Sequence, residues 1–361
     1  MSEWNYENTF EEELTFFSFN PQINKKYKFQ VEEILKKENL RFVKSINFTV
    51  CVFNNKDLIA TGSLDGYILK CFAIRNDYRK KGISEKILRI LTEKAFENGE
   101  THLFIYTKPK NSKLFESLGY HQLINIPNLV SLLENKSTGI RNYIRNLQKE
   151  SYLQGEKIAS IVMNCNPFTK GHKYLIEKAS KENDIVHLFI LTEDKSEFST
   201  EDRINMVKLG TKHLKNVLIH EAGKYIISSA TFPSYFIKEQ KNITKAHAYL
   251  DLTLFCEYIS KALNIKYRYV GEEPFSNLTN EYNQYMKEIL PKYNIQVIEV
   301  KRLKEDGQAI SASNVRHFLK EGNLEKVESL VPKTTFDYLL NISKKIINIL
   351  EGFIWKLKNQ L

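Results

Sequence analysis

From Lys157 onward the chain alternates strand-sized apolar runs with amphipathic helical stretches, and few architectures accept that order. Ile158–Met163, Ile185–Leu191, Val217–His220, Tyr267–Val270 and Val297–Val300 read as strands. Gly171–Lys181 places Leu175, Ile176 and Ala179 at helical spacing, and Ser199 with Asp202 resembles a capping box opening a helix through Leu209. Further helices are expected over 234–240, 252–263 and 279–290. Strands separated by helices pair in parallel, since each helix returns the chain to the same end of the sheet. A doubly wound parallel sheet is therefore expected, with ligands at the carboxyl ends of its strands.

The front of the chain follows another rule. Lys56–Thr61 and Ile68–Ile74 read as strands, Ser84–Ala95 as a helix with Ile87, Leu88, Leu91 and Ala95 inward, Leu103–Tyr106 as a strand, and Ser112–Ser117 as a short helix ending at Gly119. With 361 residues, two cores are the expectation. We read 1–135 as a mixed domain, 136–156 as a polar linker holding one amphipathic helix, and 157–342 as the parallel-sheet domain. The segment 343–361 reads as a basic amphipathic helix carrying Ile346, Ile347, Leu350, Ile354 and Leu357, expected to pack on the second domain.

The most informative stretch is Met163-Asn-Cys-Asn-Pro-Phe-Thr-Lys-Gly-His172, lying between a buried strand and a helix. Gly171 permits close backbone approach, and the helix start offers free N–H groups to phosphate. Thr169 adds a hydroxyl, and His172 can donate to a phosphate oxygen as charge grows there. Asn164, Asn166, Phe168, Thr169, Gly171 and His172 are the candidates at this turn. A second segment, Ile310-Ser-Ala-Ser-Asn-Val-Arg316, puts Ser311 and Ser313 at a helix start with Arg316 one turn in, a set suited to β- and γ-phosphates. Cys165 lies inside the turn, but a nucleophilic thiol needs an activating base or a depressed pKa. Arg203 reads equally as facing substrates or as a surface ion-pair partner.

The two segments resemble the phosphate signatures of the nucleotidyltransferase superfamily, which includes pantetheine-phosphate and nicotinamide-nucleotide adenylyltransferases. That superfamily puts a packing residue where Cys165 stands, and a Gly–acid pair near the nucleotide where Gly271-Glu272 stands. Gly271-Glu-Glu-Pro-Phe275, Tyr225-Ile-Ile-Ser-Ser-Ala-Thr-Phe-Pro-Ser-Tyr-Phe236 and Asp251-Leu-Thr-Leu-Phe255 resemble the citrate lyase ligase family more narrowly. Within that resemblance the chain is an ATP-consuming acid–thiol ligase. Acetate attacks the α-phosphorus of ATP, pyrophosphate leaves, and the prosthetic-group thiol of the citrate lyase acyl-carrier subunit takes the acetyl group. His172, Thr169 and Arg316 then act in catalysis; Asn164, Asn166, Phe168, Gly171, Gly271, Glu272, Ser311 and Ser313 hold ATP. A magnesium ion on the phosphates is implied, although no dense carboxylate cluster announces its ligands. The same phosphate site would equally serve an adenylyltransferase acting on a phosphorylated pantetheine- or nucleotide-type substrate.

Ile74-Arg-Asn-Asp-Tyr-Arg-Lys-Lys-Gly-Ile-Ser84 leads into a helix and resembles the pyrophosphate loop of coenzyme-A-dependent acetyltransferases, Arg/Gln-x-x-Gly-x-Gly/Ala. Successive backbone N–H groups in such a loop form an anion nest. Ser84 departs from the small residue usual at the last position. The resemblance implies an acetyltransferase-like α+β domain, in which Arg79, Lys80, Lys81, Gly82 and Ser84 would grip the diphosphate of the carrier's pantetheine-like arm.

Composition sets the remaining bounds. The net charge of +10 is spread along the chain without a zinc-finger, recognition-helix or RNA-binding signature, so nucleic acid is not expected as a partner. No apolar run approaches the length of a bilayer span, and no stable membrane association is expected. Four scattered cysteines without CxxC spacing argue against zinc and disulfides and for the cytoplasm.

Overall fold

The computed structural model describes residues 14–342, apart from 193–195, 229–231, 238–239, 274–276 and 306. The helix expected over 343–361 lies outside them, as do Ser229–Thr231 and Pro274–Phe275 of the family-like segments. Two compact units emerge, Met1–Gly139 with Pro233–Ala246, and Ile140–Phe232 with His247–Leu361.

The first unit contains β1 (Leu14–Phe19), α1 (Lys25–Lys37), β2 (Phe48–Asn54), β3 (Asp57–Asp65), β4 (Ile68–Ile74), α2 (Ile83–Glu97), β5 (Phe104–Thr107), α3 (Ser112–Ser117), β6 (His121–Ile126) and β7 (Val130–Glu134). Its sheet runs β1-β2-β3-β4-β5-β7-β6. All neighbours are antiparallel except β4 and β5, which pair in parallel only at Ile68–Phe104 and Leu69–Ile105. β4 runs on to Ile74 beyond that pairing, and the 79–82 loop follows it. Ile83, Ile87, Leu91 and Ala95 of α2 pack on Val50, Ile59, Leu64 and Leu69 of the sheet. Gly62 makes that approach possible, because a Cβ there would lie 2.6 Å from Ile87 Cγ2. The result is the expected acetyltransferase-like α+β arrangement.

The second unit contains most of α4 (Gly139–Glu150), then β8 (Ile158–Met163), α5 (Lys170–Glu182), β9 (Ile185–Ile190), α6 (Thr200–Thr211), β10 (Val217–Glu221), the end of α7 (Gln240–Leu254), a π-helical turn (Phe255–Ser260) and α8 (Lys261–Leu263). After these come β11 (Tyr267–Gly271), α9 (Asn277–Ile289), β12 (Gln296–Val300), the hairpin β13 (Lys304–Glu305) and β14 (Gln308–Ala309), α10 (Ala312–Lys320) and α11 (Leu324–Leu330). The sheet order is β10-β9-β8-β11-β12, parallel throughout. Strand order reverses direction between β8 and β11, the place where doubly wound sheets open a crevice at their carboxyl ends. One sheet face carries Ala159, Ile161 and Met163 against Ile176, Ala179, Met206 and Val207. The other carries Ile158, Ile185 and Phe189 against Leu252, Phe255, Met286 and Ile289. This is the expected doubly wound, Rossmann-like fold.

Two expectations fail for tertiary reasons. The described residues 234–237 are not helical, and the next helix opens only at Gln240. Instead Pro233–Ile237 is a turn belonging to the first unit, where the N–H of Arg41 reaches Tyr235 O (2.8 Å), its Nη2 reaches Ile237 O (2.7 Å), and Tyr235 Oη donates to Tyr106 O (2.9 Å). Carbonyls committed to distant donors cannot feed a helical ladder. The segment 136–156 is also more than a linker. Leu147 of α4 is part of the second unit's core, and Tyr143 Oη donates to Ala222 O (2.9 Å).

Candidate active site

The turn after β8 is built around Thr169, the N-cap of α5. Its Oγ1 accepts the N–H of His172 (3.3 Å), while its own N–H donates to His172 Nδ1 (3.1 Å), closing a capping box with histidine in the place of the usual acid. Because Nδ1 accepts, the imidazole proton resides on Nε2. Desolvation lowers the His172 pKa to about 4, and the positive charge of Arg302 acts in the same direction. His172 is therefore a neutral donor at physiological pH. Thr169 is only 2% exposed and its hydroxyl is committed to the box. Its part is to orient the ring.

Phe168 is fully buried, stacked 6.1 Å from the His172 ring and seated against Gly210, where a Cβ would come within 2.4 Å of its Cε1. The Asn166–Pro167 peptide is cis. Asn166 Oδ1 accepts the N–H of Phe198 (3.2 Å), and Asn164 Oδ1 accepts from Arg203 Nη1 (2.7 Å). Arg203 is buried and also binds the carbonyls of Asn164, Leu191 and Phe198, tying the β8 and β9 carboxyl ends to α6. Its buried guanidinium thus acts as an internal strut. Cys165 is buried, and burial pushes its thiol far above the usual range, which removes the thiolate a nucleophile needs.

The second signature folds onto the first. Ser311 is the N-cap of α10, its Oγ accepting from Asn314 N at 3.2 Å. Arg316 Nη1 donates to Asn166 O (2.5 Å), its Nη2 reaches Ser313 Oγ (3.2 Å), and its Nε lies 3.7 Å from Glu197. Gly171 packs against Ile310, with its Cβ position 3.7 Å from Ile310 Cβ. Two helix starts, those of α5 and α10, therefore share one rim of the sheet. On the neighbouring strand, Gly271 O accepts from Asn283 Nδ2 (3.2 Å). Glu272 is exposed, and its carbonyl accepts from Arg302 Nε (2.8 Å) while Glu273 pairs with Arg302 Nη2. Arg302 thus holds the β11 end while its charge acts on His172, and sequence reading missed it. A basic residue just past a parallel strand was the available signal.

The loop after β4 has its own geometry. Lys80 (φ 66°) and Gly82 (φ 70°) are left-handed around the start of α2, whose N-cap is Gly82; Ser84 lies half-buried in its first turn. Arg79 is paired with Glu38 (3.0 Å), and Arg75 with Asp77 (2.5 Å). Lys81 lies 4.7 Å from the Tyr78 ring centroid. Acidic neighbours thus absorb part of the charge this loop displays, while Lys80 is exposed.

Residues 158–339 match the family described as citrate lyase ligase C-terminal domain. The [citrate [pro-3S]-lyase] ligase of Escherichia coli K12 is 39% identical over 318 residues, 87% of this chain and 90% of that protein. The enzyme of that name from Haemophilus influenzae is 39% identical over 317 residues, 86% and 94% of the two chains. The chain belongs to the citrate lyase ligase family. Among solved structures, a putative nicotinate-nucleotide adenylyltransferase from Vibrio parahaemolyticus overlaps 52% of this chain and 93% of its own at 19% identity, with a TM-score of 0.35. No cluster of three or more His, Cys, Asp or Glu side chains among the described residues is arranged to hold a metal. No helix among them is long and apolar enough to cross a membrane.

Proposed function

We propose that this chain uses ATP and acetate to acetylate the prosthetic-group thiol of the citrate lyase acyl-carrier subunit, releasing AMP and pyrophosphate. The names of its relatives support the carrier subunit as acceptor. The observation that carries the chemistry is the meeting of the two signatures, with Arg316 bonded to Asn166 O and Gly171 against Ile310, beside a neutral Nε2–H of His172. ATP lies over the α5 start, held by N–H groups near Gly171, with Gly271 and Glu272 toward the nucleoside and Ser311, Ser313 and Arg316 toward the outer phosphates. Asn164, Asn166 and Phe168 shape the turn. A magnesium ion arriving with ATP would help neutralise the phosphates, and no carboxylate cluster among the described residues is arranged to hold it by itself.

An acetate oxygen attacks the α-phosphorus, and the bond to the β-phosphate breaks with its electron pair leaving on pyrophosphate. His172 donates a hydrogen bond as charge grows on phosphate oxygen, and Arg316 neutralises the leaving group. The carrier's thiol then loses its proton to solvent, its sulfur attacks the acetyl carbonyl, and AMP departs. In this reading the second unit adenylates. The first holds the carrier's arm, its diphosphate in the nest of Arg79, Lys80, Lys81, Gly82 and Ser84. The cytoplasm is the compartment we favour, as its reducing conditions suit the four free cysteines.

The test is acetate-dependent exchange of labelled pyrophosphate into ATP, followed by acetate-dependent labelling of the carrier subunit. Exchange that ignores acetate and needs a phosphorylated acceptor would instead assign an adenylyltransferase.

A further inference from the structure

Beneath the rim, on the sheet face covered by α7 and α9, β11 carries a buried cation, Arg268, with one nitrogen unmatched among the described residues. Arg268 pairs in register with Ser160 of β8 and Val297 of β12, and is 4% exposed. Its guanidinium carbon lies 4.7 Å from the Phe255 ring centroid, and its buried Nη1 has no hydrogen-bond partner among the described residues. The carboxylate in its neighbourhood is Asp251, 3% exposed, whose oxygens are committed elsewhere. Oδ1 accepts the N–H of Ile227 (2.7 Å) and Oδ2 accepts from Tyr282 Oη (2.5 Å). Burial and Asp251 push the Tyr282 phenol well above its usual range, so Tyr282 stays a donor to that carboxylate.

Buried charged donors in native proteins are almost always matched. A buried guanidinium with an unmatched Nη1 is therefore a site waiting for an acceptor, and a carboxylate oxygen meets such a donor in a charge-assisted hydrogen bond. Three features narrow the ligand. Asp251 already supplies one negative charge nearby, which tolerates a monoanion better than a phosphate dianion. Phe255 makes the surroundings apolar, suited to a methyl group. β11 lies beside β8 at the switch point and ends at Gly271, three residues on, or about 10 Å of strand.

We propose that Arg268 anchors the carboxylate of a small monocarboxylic acid, acetate in the reaction above, on which this assignment rests. One carboxylate oxygen stays on the guanidinium while the other forms the new bond to the α-phosphorus. The electron pair of the broken bond leaves with pyrophosphate, and no proton moves.

The experiment compares wild type with Arg268→Met and Arg268→Lys in acetate-dependent pyrophosphate exchange, with circular dichroism to establish folding. It also measures saturation transfer to acetate by NMR without ATP. We expect the KM for acetate to rise on the order of 10- to 100-fold in Arg268→Met, less in Arg268→Lys, with the KM for ATP within about threefold. Acetate saturation transfer should be present in wild type and lost in Arg268→Met. If Arg268→Met does not fold, Arg268→Lys and the wild-type NMR signal decide. An unchanged acetate KM in a folded variant, or no saturation transfer in wild type, overturns the assignment and leaves a buried water on Arg268. Wild type that binds acetate through Arg268 yet shows no acetate-dependent exchange would instead overturn the reaction and keep the site.

Discussion

His172 combines two properties that are rarely found together, a fixed tautomer and a depressed pKa. The Thr169 N–H claims Nδ1, so the proton sits on Nε2, and desolvation keeps the ring neutral. His172→Ala should lower adenylation by about 10²–10³ with ATP affinity changed much less, as measured by pyrophosphate release and ATP titration. Near-normal release would remove His172 from the mechanism. Because its pKa is about 4, the wild-type rate should show no His172 inflection between pH 6 and 8. Cys165→Ala should leave carrier acetylation within a few-fold of wild type, since the thiol is buried and held protonated. An acetylated Cys165 peptide trapped during turnover would overturn direct transfer.

At the scale of elements, the site depends on how closely α6 approaches the phosphate turn. Gly210 lets the Phe168 ring lie against the α6 backbone, and Arg203 pins the carbonyls of Asn164 and Leu191 from the same helix. Gly210→Ala should cost about 1–3 kcal/mol through overpacking. It should also reduce pyrophosphate exchange, because Phe168 is followed directly by the cap that orients His172. A melting temperature and an exchange rate on the same sample test both, and an unaltered Tm would mean that α6 shifts freely. The order of strands and helices was legible from apolar periodicity, and so was the α5 cap, because both are local. The turn at 233–237 was not, because Arg41, nearly 200 positions away in sequence, takes its carbonyls.

At the scale of the molecule, two measurements separate its parts. Gly82→Glu should spare acetate-dependent exchange and raise the apparent KM for the carrier, if the 79–84 loop grips the arm. Since Gly82 has φ 70°, any side chain there is strained, and Gly82→Ala is the control that carries strain without charge. Equal loss of both half-reactions in Gly82→Glu would point to a single shared centre. The second measurement is stability against pH. His187 is buried beside His220, which in turn meets Glu150, and burial, with His220 second, lowers the His187 pKa to about 3. An unfolded histidine titrates near 6.5, so the unfolded chain binds the extra proton first as pH falls. The stability this group contributes is complete above about pH 6.5 and is lost on acidification toward pH 3, by at most about 1.4 kcal/mol per pH unit. Denaturant midpoints at pH 7.5, 6 and 5 follow it, and His187→Gln should flatten the slope.

Taken alone, the sequence determined the fold class and offered the turn after β8 with the candidates Thr169, Gly171, His172 and Arg316, because periodicity, caps and glycine placement act over a few residues. Only the tertiary structure decided that Arg316 closes onto Asn166 and that Arg302 binds Glu272 O and Glu273 while its charge acts on His172. It alone turned Arg203 into a strut and left Arg268 as a buried cation with an unmatched Nη1 among the described residues. The physical reason is common to all four. An arginine's role is set by which acceptors surround its guanidinium, and here those acceptors come from strands and helices far apart in the chain.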